Sequence, residues 1–322
     1  MERGIFRIRP HTAFGGPLRG DTLFGQMAWA IRHRYGEEAL RELLVGYTSG
    51  NPFLICSDGF PAGHLPRPSL PLRSYANDPA ADHKEIKRRV WLPVTVLDRP
   101  LAQWLDACLD SQALPPDQAA LPAVHPQSHN QIDRRTNSTG AGEGFAPFSH
   151  SQWWYDTSCG AEAELYLLWD PERFSLEQCQ TVLEDVGLFG YGRDATTGLG
   201  KFTVSAVRSW DLPEPQAPTS HWTLAPCAPQ GLSWDPSRCY YTPFTRFGRH
   251  GDMAVLQQPF KNPVLLADSG AVLTPATWQP QSYIGQGLGG QGELSRALPE
   301  TVHQGYAPVL PLCLTDPHQE VA

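Results

Sequence analysis

Lysine is nearly absent from this sequence. Lys84, Lys87, Lys201 and Lys261 are the only four among 25 basic residues, so arginine carries the positive charge. The planar arginine fork suits phosphate groups and base stacking, although a GC-rich genome gives the same bias. Closely spaced cysteines are missing too. The seven, at positions 56, 108, 159, 179, 227, 239 and 313, never stand two or three residues apart, which speaks against a zinc site or a redox pair and for a reducing compartment. No apolar run approaches the roughly 20 residues of a membrane span. The opening MERGIFRIRP has no apolar segment of the secretory type. The expectation is a cytoplasmic chain that touches no membrane and carries no metal or cofactor.

The familiar nucleotide loops are absent as well. The richest stretch, GLFGYGRDATTGLGKF (187–202), holds five glycines, at 187, 190, 192, 198 and 200, with Arg193, Asp194, Thr196, Thr197 and Lys201 among them. Before it, SLEQCQTVLEDVGLFG (175–190) places Leu176, Cys179, Val182, Leu183 and Val186 on one helical face, with Ser175 as N-cap. After it, KFTVSAV (201–207) alternates as a strand does. A P-loop runs strand, loop, helix and needs Ser or Thr after its lysine. Here the order is helix, loop, strand, and Phe202 follows Lys201. The dinucleotide fingerprint also needs the strand first. What remains is a loop of glycine backbone, two hydroxyls and two cations, a set that suits phosphate oxygens. The alternative is a connection whose glycines merely turn the chain.

At 322 residues and 41% hydrophobic content the chain is globular and long enough for two domains. A net charge of −8 weakly opposes a stand-alone nucleic-acid binder, but the charge is polarised. Residues 1–35 carry six arginines (Arg3, Arg7, Arg9, Arg19, Arg32 and Arg34) against Glu2 and Asp21, whereas 156–186 carry eight acids against Arg173.

In chain order, GIFRIRP (4–10) reads as a strand with one charged face, and HTAFGGPLRG (11–20) as a second glycine loop. Asp21 or Thr22 is the expected cap of a helix that buries Leu23, Phe24, Met27, Ala30 and Ile31. GEEALRELLVG is a further helix and PFLICSDGF (52–60) a second strand. From Gly63 to about Pro126 frequent prolines break the pattern into a large excursion, with short helices at ADHKEIKRRV and LAQWLDACLD. HNQIDRRTNSTGAGEGF (129–145) is a polar hairpin limb, followed by SHSQWWYD (149–156) and AELYLLWD (163–170) as paired aromatic strands. The first two-thirds thus reads as a split β-α-β order. DLPEPQAPTS (211–220) is a proline-rich linker, and the remainder offers strands at WTLAP, CYYTPFTRFG, NPVLLADSGAVLT and GYAPVLPLCL. Asp268-Ser269-Gly270 reads as a hairpin turn, and GQGLGGQG (285–292) is a third glycine cluster.

Four segments, RGDTLFGQMAWAI (19–31), HNQIDRRTNST (129–139), GRDATTGLGKF (192–202) and HQGYAPVLPL (303–312), occur in an order that resembles the RAMP superfamily of CRISPR proteins. More narrowly, the whole chain resembles the subunit of the type III-A (Csm) effector complex that caps the 5′ end of the guide RNA. That resemblance implies an α+β chain of two ferredoxin-like (RRM-like) domains, 1–210 and 221–322, with a thumb-like insertion at about 63–147. It implies a non-catalytic role in antiviral defence. The subunit would anchor the crRNA 5′ handle, approach target RNA within the complex, and bridge a large polymerase/cyclase-type subunit to a backbone RAMP subunit. The candidate RNA ligands are Arg19; His129, Asn130, Arg134, Arg135 and Thr136 in the polar limb; Gly190, Arg193, Thr196, Thr197, Gly198, Gly200 and Lys201 in the glycine loop; and Arg246 and Arg249. The competing readings are a type III-B capping subunit, a metal-independent crRNA-processing endoribonuclease using histidine, and an adaptor that binds protein alone.

Overall fold

Strand β1 (Glu2–Pro10) is central because both its edges are paired, with one β-bulge between Arg7 and Ile8. The computed structural model that shows this describes residues 1–75, 82–110, 123–139, 146–156, 160–251 and 259–314. On the charged face of β1, Arg7 stands opposite Glu164 and reaches its carboxylate at 2.7 Å, while Arg9 reaches Glu162 at 3.0 Å. Two arginines of the basic N-terminal segment are therefore paired, along this strand, with two acids of the middle segment.

Helix α1 (Gly20–Tyr35) follows, then α2 (Glu37–Leu44) and strand β2 (Leu54–Pro61). Neither Asp21 nor Thr22 is the cap of α1. Arg19 holds the N-cap position, no side chain caps it, and the Gly20 N–H donates to Asp58 Oδ1 at 2.8 Å. Asp21 lies inside the first turn, where the helix dipole favours an acid.

The excursion is better integrated than its prolines suggest. Strands β3 (His64–Pro66), β4 (Arg89–Pro93) and β5 (Leu109–Asp110) form a three-stranded sheet with helices α3 (His83–Arg88) and α4 (Trp104–Ala107) between them. Pro66 and Pro93 end strands, positions that need no ladder donor. Leu65, Tyr75, Ile86, Leu92, Val96 and Trp104 are buried in the main core. Pro79, Pro115, Pro116 and Pro122 lie outside the described residues.

Strand β6 (Ala123–His129) pairs antiparallel with β7 (Phe148–Trp154), so the polar limb is a hairpin arm. Its glycines at 140, 142 and 144 lie outside the described residues. The two aromatic segments do not pair with each other. Strand β8 (Ala163–Trp169), buried throughout, sits between β1 and β2 instead. Helix α5 (Leu176–Phe189) starts at Ser175 with a reciprocal capping box to Gln178, and β9 (Phe202–Ser209) completes the first sheet. The sheet order is β2-β8-β1-β9, all antiparallel, with α1 following β1 and α5 following β8. Arg34 of α1 forms a two-pronged pair with Asp185 of α5.

Residues 210–219 carry no helix or strand. Beyond them lie β10 (Ser220–Thr223), β11 (Pro243–Arg246), β12 (Val264–Ala267), β13 (Val272–Leu273), β14 (Tyr283–Gly285), β15 (Leu288–Gly289), β16 (Val302–His303) and β17 (Tyr306–Leu312). They make a sheet of order β13-β10-β17-β14 and the two-stranded pairs β11-β12 and β15-β16. No α-helix occurs among the described residues of this half. Asp268-Ser269-Gly270 is a turn, with Gly270 at φ 87°, but it passes the chain from one sheet to another and does not close a hairpin. One core spans both halves: Trp222, Leu224, Tyr306 and Leu310 pack in the same cluster as Phe24, Tyr47, Leu167 and Trp104.

Candidate functional site

Three segments distant in sequence converge on the glycine loop. Helix α5 ends at Gly190 (φ 103°), where an added Cβ would stand 2.4 Å from the Leu199 carbonyl oxygen. At the far end, Gly200 (φ 74°) donates its N–H to the Ala13 carbonyl at 2.7 Å, and an added Cβ would lie 2.2 Å from the Tyr191 carbonyl oxygen. These two glycines are demanded by the protein's own backbone. Gly198 (φ 99°) and Gly192 (φ 78°) face open space.

The loop's backbone is largely committed to protein acceptors. Gly192 donates to Gln26 Oε1 at 3.1 Å and Lys201 to Thr12 Oγ1 at 3.0 Å, while the Thr197 and Gly198 N–H groups close the 3₁₀ turn that starts at the left-handed Asp194. What the loop offers outward is side chains. Thr196 and Thr197 are exposed, although the Thr197 hydroxyl donates to the Asp194 carbonyl at 2.8 Å. Arg193 is half exposed; its Nη2 donates to the Ser151 carbonyl at 3.2 Å and its Nε lies 3.2 Å from Asp194 Oδ2. Lys201 points back, its Nζ 2.7 Å from the Leu188 carbonyl, where it complements the C-terminal end of α5.

The hairpin arm joins the loop through β7. Phe14 and Trp153 exchange backbone hydrogen bonds at 2.9 Å, and Gly15 packs so closely on Arg193 that a Cβ would sit 2.3 Å from its carbonyl oxygen. His150 Nδ1 stands 3.8 Å from Asp194 Oδ2. His129 stacks on Phe148 (centroids 5.3 Å apart, planes 13° apart) and lies beside His150. Past His129 the arm turns through Asp133–Ser138, with Asn137 left-handed at φ 51°. Asn130, Arg134, Arg135 and Thr136 are all exposed there, Arg135 with 91% of its side chain in solvent.

Arg19 and Arg246 belong elsewhere. Arg19 Nη1 reaches Asp58 Oδ2 at 2.9 Å and Asp268 Oδ1 at 2.7 Å, and Asp58 in particular raises its pKa further, against burial. Arg246 grips both oxygens of Asp21, a carboxylate that burial would push up but that Arg246 and His303 hold below its ordinary range. Gln304, wholly buried, donates to the Cys56 carbonyl at 2.7 Å and accepts from the Cys56 N–H at 2.8 Å. The first and last of the four sequence segments thus meet as the joint between the two halves of the chain. Both arginines are spent on internal carboxylates, so neither is a free cation for a phosphate. Arg249, beyond β11, is exposed. Missed from sequence were Thr12, Gln26 and Ser151, which brace the loop by single hydrogen bonds across more than 40 positions and leave no local pattern.

No protein-family model matches this chain, and no curated protein does either. Solved structures share its fold along nearly its full length. A chain of a Csm1–Csm4 cassette in complex with pppApA is similar with TM-score 0.58 at 16% identity, covering 98% of this chain and 99% of that one. The cassette in complex with cA4 gives TM-score 0.58 at 14% identity, with the same coverage. A chain of the Csm3–Csm4 subcomplex of a type III-A CRISPR-Cas interference complex gives 0.57 at 13% identity over 96% and 99%. The fold of this chain is the one those structures share.

Proposed function

We propose that this chain is the RAMP subunit of a type III-A (Csm) effector complex that holds the 5′ handle of the crRNA without cutting RNA. The observation that carries this reading is the end-to-end likeness to chains from both Csm1–Csm4 and Csm3–Csm4 assemblies, whose common component is Csm4. By that likeness its partners are a Csm1-like large subunit, a Csm3-like backbone subunit and, through the complex, target RNA. The first half, with its β-α-β-β-α-β order, is ferredoxin-like. The second half, after the 211–220 linker, is a relative of that fold stripped to strands. The chain works in the cytoplasm; no helix among its described residues is long and apolar enough to cross a membrane.

The RNA-contacting set is the outward face of the glycine loop and the hairpin arm. Arg193, Thr196 and Thr197 supply charged and hydroxyl donors from one side, and Arg134, Arg135, Thr136 and Asn130 from the other. His129 and Phe148 offer a stacked platform of the kind that receives unpaired bases. Gly192 and Gly198 let a phosphate approach the loop; Gly190 and Gly200 shape it. Lys201 and Arg249 are peripheral members. The test is co-expression with a CRISPR array and the partner subunits, followed by sequencing of bound RNA. A uniform 5′ end that is lost in the Arg134→Ala/Arg193→Ala double variant supports the reading. An assembled complex that keeps its defined 5′ end in that variant moves the chain to the protein-adaptor class.

A further inference from the structure

Past the ends of β11 and β12 the two strands stay together. The Lys261 N–H donates to the Gly248 carbonyl at 2.9 Å, the His250 N–H donates to the Pro259 carbonyl at 2.8 Å, and Arg249 bridges to Phe260. The ribbon so formed has two faces. Phe244, Arg246 and His250 are turned towards the protein, where Asp21 holds Arg246. Thr245, Phe247 and Arg249 alternate with them and are exposed, as a period of two requires. Phe260 stands across the ladder from Arg249, and Leu265 across from Thr245, so both share the outer face.

That face leaves large apolar groups in water. Phe247 is 74% exposed, Leu265 69% and Phe260 65%. Grouped on one face, they mark an interaction site, where a single exposed side chain would not. Neither phenyl ring meets another ring among the described residues, and the Arg249 guanidinium has no hydrogen bond, ion pair or ring contact there. Both ring faces and the charge are open to a partner. Neither 240–251 nor 259–267 contains an Asp or Glu. Glu293, whose carbonyl accepts from Asn262, has its carboxylate on the Gln291 N–H. An anion can therefore reach Arg249. Flat rings beside a free arginine match a single RNA strand, which offers bases to the rings and phosphates to the cation. An apolar protein surface would bury the guanidinium unpaired, which is costly, and would gain nothing from rings over aliphatic groups of equal area.

We infer that the outer face of the β11–β12 ribbon is a stacking platform for unpaired bases of an RNA strand, with Phe247 and Phe260 each receiving a base and Arg249 an adjoining phosphate. The inference rests on the reading of the chain as an RNA-binding subunit and extends it to the second half, on residues separate from the glycine loop and the arm. Stacking of this kind tolerates any sequence, because every base has a flat face.

The experiment titrates the full-length chain with a short oligouridylate and with an abasic ribose-phosphate strand of the same length. It is run in the wild type and in the Arg134→Ala/Arg193→Ala background, where the loop and arm do not mask the ribbon. Phe247→Leu/Phe260→Leu keeps apolar area but has no ring, whereas Phe247→Trp/Phe260→Trp keeps the ring. In that background the leucine variant should weaken oligouridylate binding at least about tenfold, the tryptophan variant should not, and neither should change binding of the abasic strand. Val45→Ala, exposed after α2, is the control that alters neither. These positions are exposed, so the variants are expected to fold, and melting checks that they do. A leucine variant that binds oligouridylate like its parent overturns the platform; if it loses assembly with the partner subunits instead, the face docks protein. Equal weakening of both strands overturns it too, since the contact then involves no base. An unaffected leucine variant beside weakened binding in Arg134→Ala/Arg193→Ala strikes this site alone, whereas a wild-type chain that binds neither strand strikes the loop-and-arm reading as well.

Discussion

Arg246 and Asp21 lie 225 positions apart and meet as a two-pronged ion pair, Nε and Nη2 on the two carboxylate oxygens. Asp21 is buried in the first turn of α1, and Arg246 ends β11, so the pair ties the second half of the chain onto the N-terminal end of the first helix. Breaking a buried pair from one side leaves an uncompensated charge, at a cost of about 3–5 kcal/mol. Asp21→Asn should therefore lower the urea midpoint by that equivalent with little change in m. A midpoint within 0.5 kcal/mol of wild type, on the order of a surface substitution, would mean the pair is dispensable.

The same joint titrates. His303 Nε2 lies 3.4 Å from Asp21 Oδ2 without hydrogen-bond geometry. Burial, reinforced by Lys261 and Arg246 and opposed by Asp21, lowers its pKa from 6.5 to about 4. A histidine kept neutral in the fold contributes stability that is complete above 6.5 and lost as pH falls from 6.5 towards 4. Asp58 works in the opposite sense: burial raises it to about 6, so the fold gains from its protonation as pH falls through 6. His221, which burial also lowers to about 4, acts in the same sense as His303, so the wild-type curve sets the buried histidines against Asp58. His303→Gln removes the first contribution, so its stability should fall less between pH 6.5 and 4.5 than wild type does, by up to about 3 kcal/mol. Parallel wild-type and variant curves in denaturant titrations at stepped pH would exclude His303 as the group responsible.

Sequence pattern captured what is local. The N-cap at Ser175, the alternation of 201–207 and the helix–loop–strand order around the glycines all depend on near neighbours. What it missed depends on distant ones. Arg19 and Arg246 read as phosphate ligands because their counter-acids, Asp58, Asp268 and Asp21, are 39, 249 and 225 positions away. Asp21 reads as a helix cap for the same reason. The aromatic strand 148–154 carries no mark saying that it pairs with β6 and not with β8. The prolines of the excursion obscured a small sheet because short strands tolerate proline at their ends. Of the glycine loop, the setting between helix and strand was legible, but not the division between glycines that face outward and those that face the backbone.

That division gives a paired prediction. Gly198 and Gly200 both have positive φ, but only Gly200 packs against Tyr191. Asparagine tolerates the left-handed region better than other residues. Gly198→Asn should fold with a loss within about 1 kcal/mol, whereas Gly200→Asn adds a backbone clash to roughly 1–3 kcal/mol of conformational strain. Thermal melting of the two variants decides it. Equal melting temperatures would show that the Tyr191–Gly200 approach relaxes at no cost.

Whether an arginine grips RNA or protein can be read from salt dependence. A phosphate contact to a single strand releases counterions, so losing one changes the log–log slope of affinity against salt by about 0.7. Arg193 is half exposed with two weak internal contacts, and Arg135 is almost wholly in solvent. Arg193→Ala and Arg135→Ala should each weaken handle-RNA binding, by about 1.5–3 kcal/mol where the charged hydrogen bond is well formed, and each should flatten the slope. Arg246→Ala should instead lower stability through Asp21 and leave the slope of the folded fraction unchanged. Arg99, exposed in the excursion, is the control that should alter neither. The measurement is a salt series of handle-RNA titrations for the four variants, with the folded fraction fixed by melting. An unchanged slope in Arg193→Ala and Arg135→Ala, beside weakened binding, would assign both arginines to loop architecture and remove the glycine loop and the arm from the RNA surface.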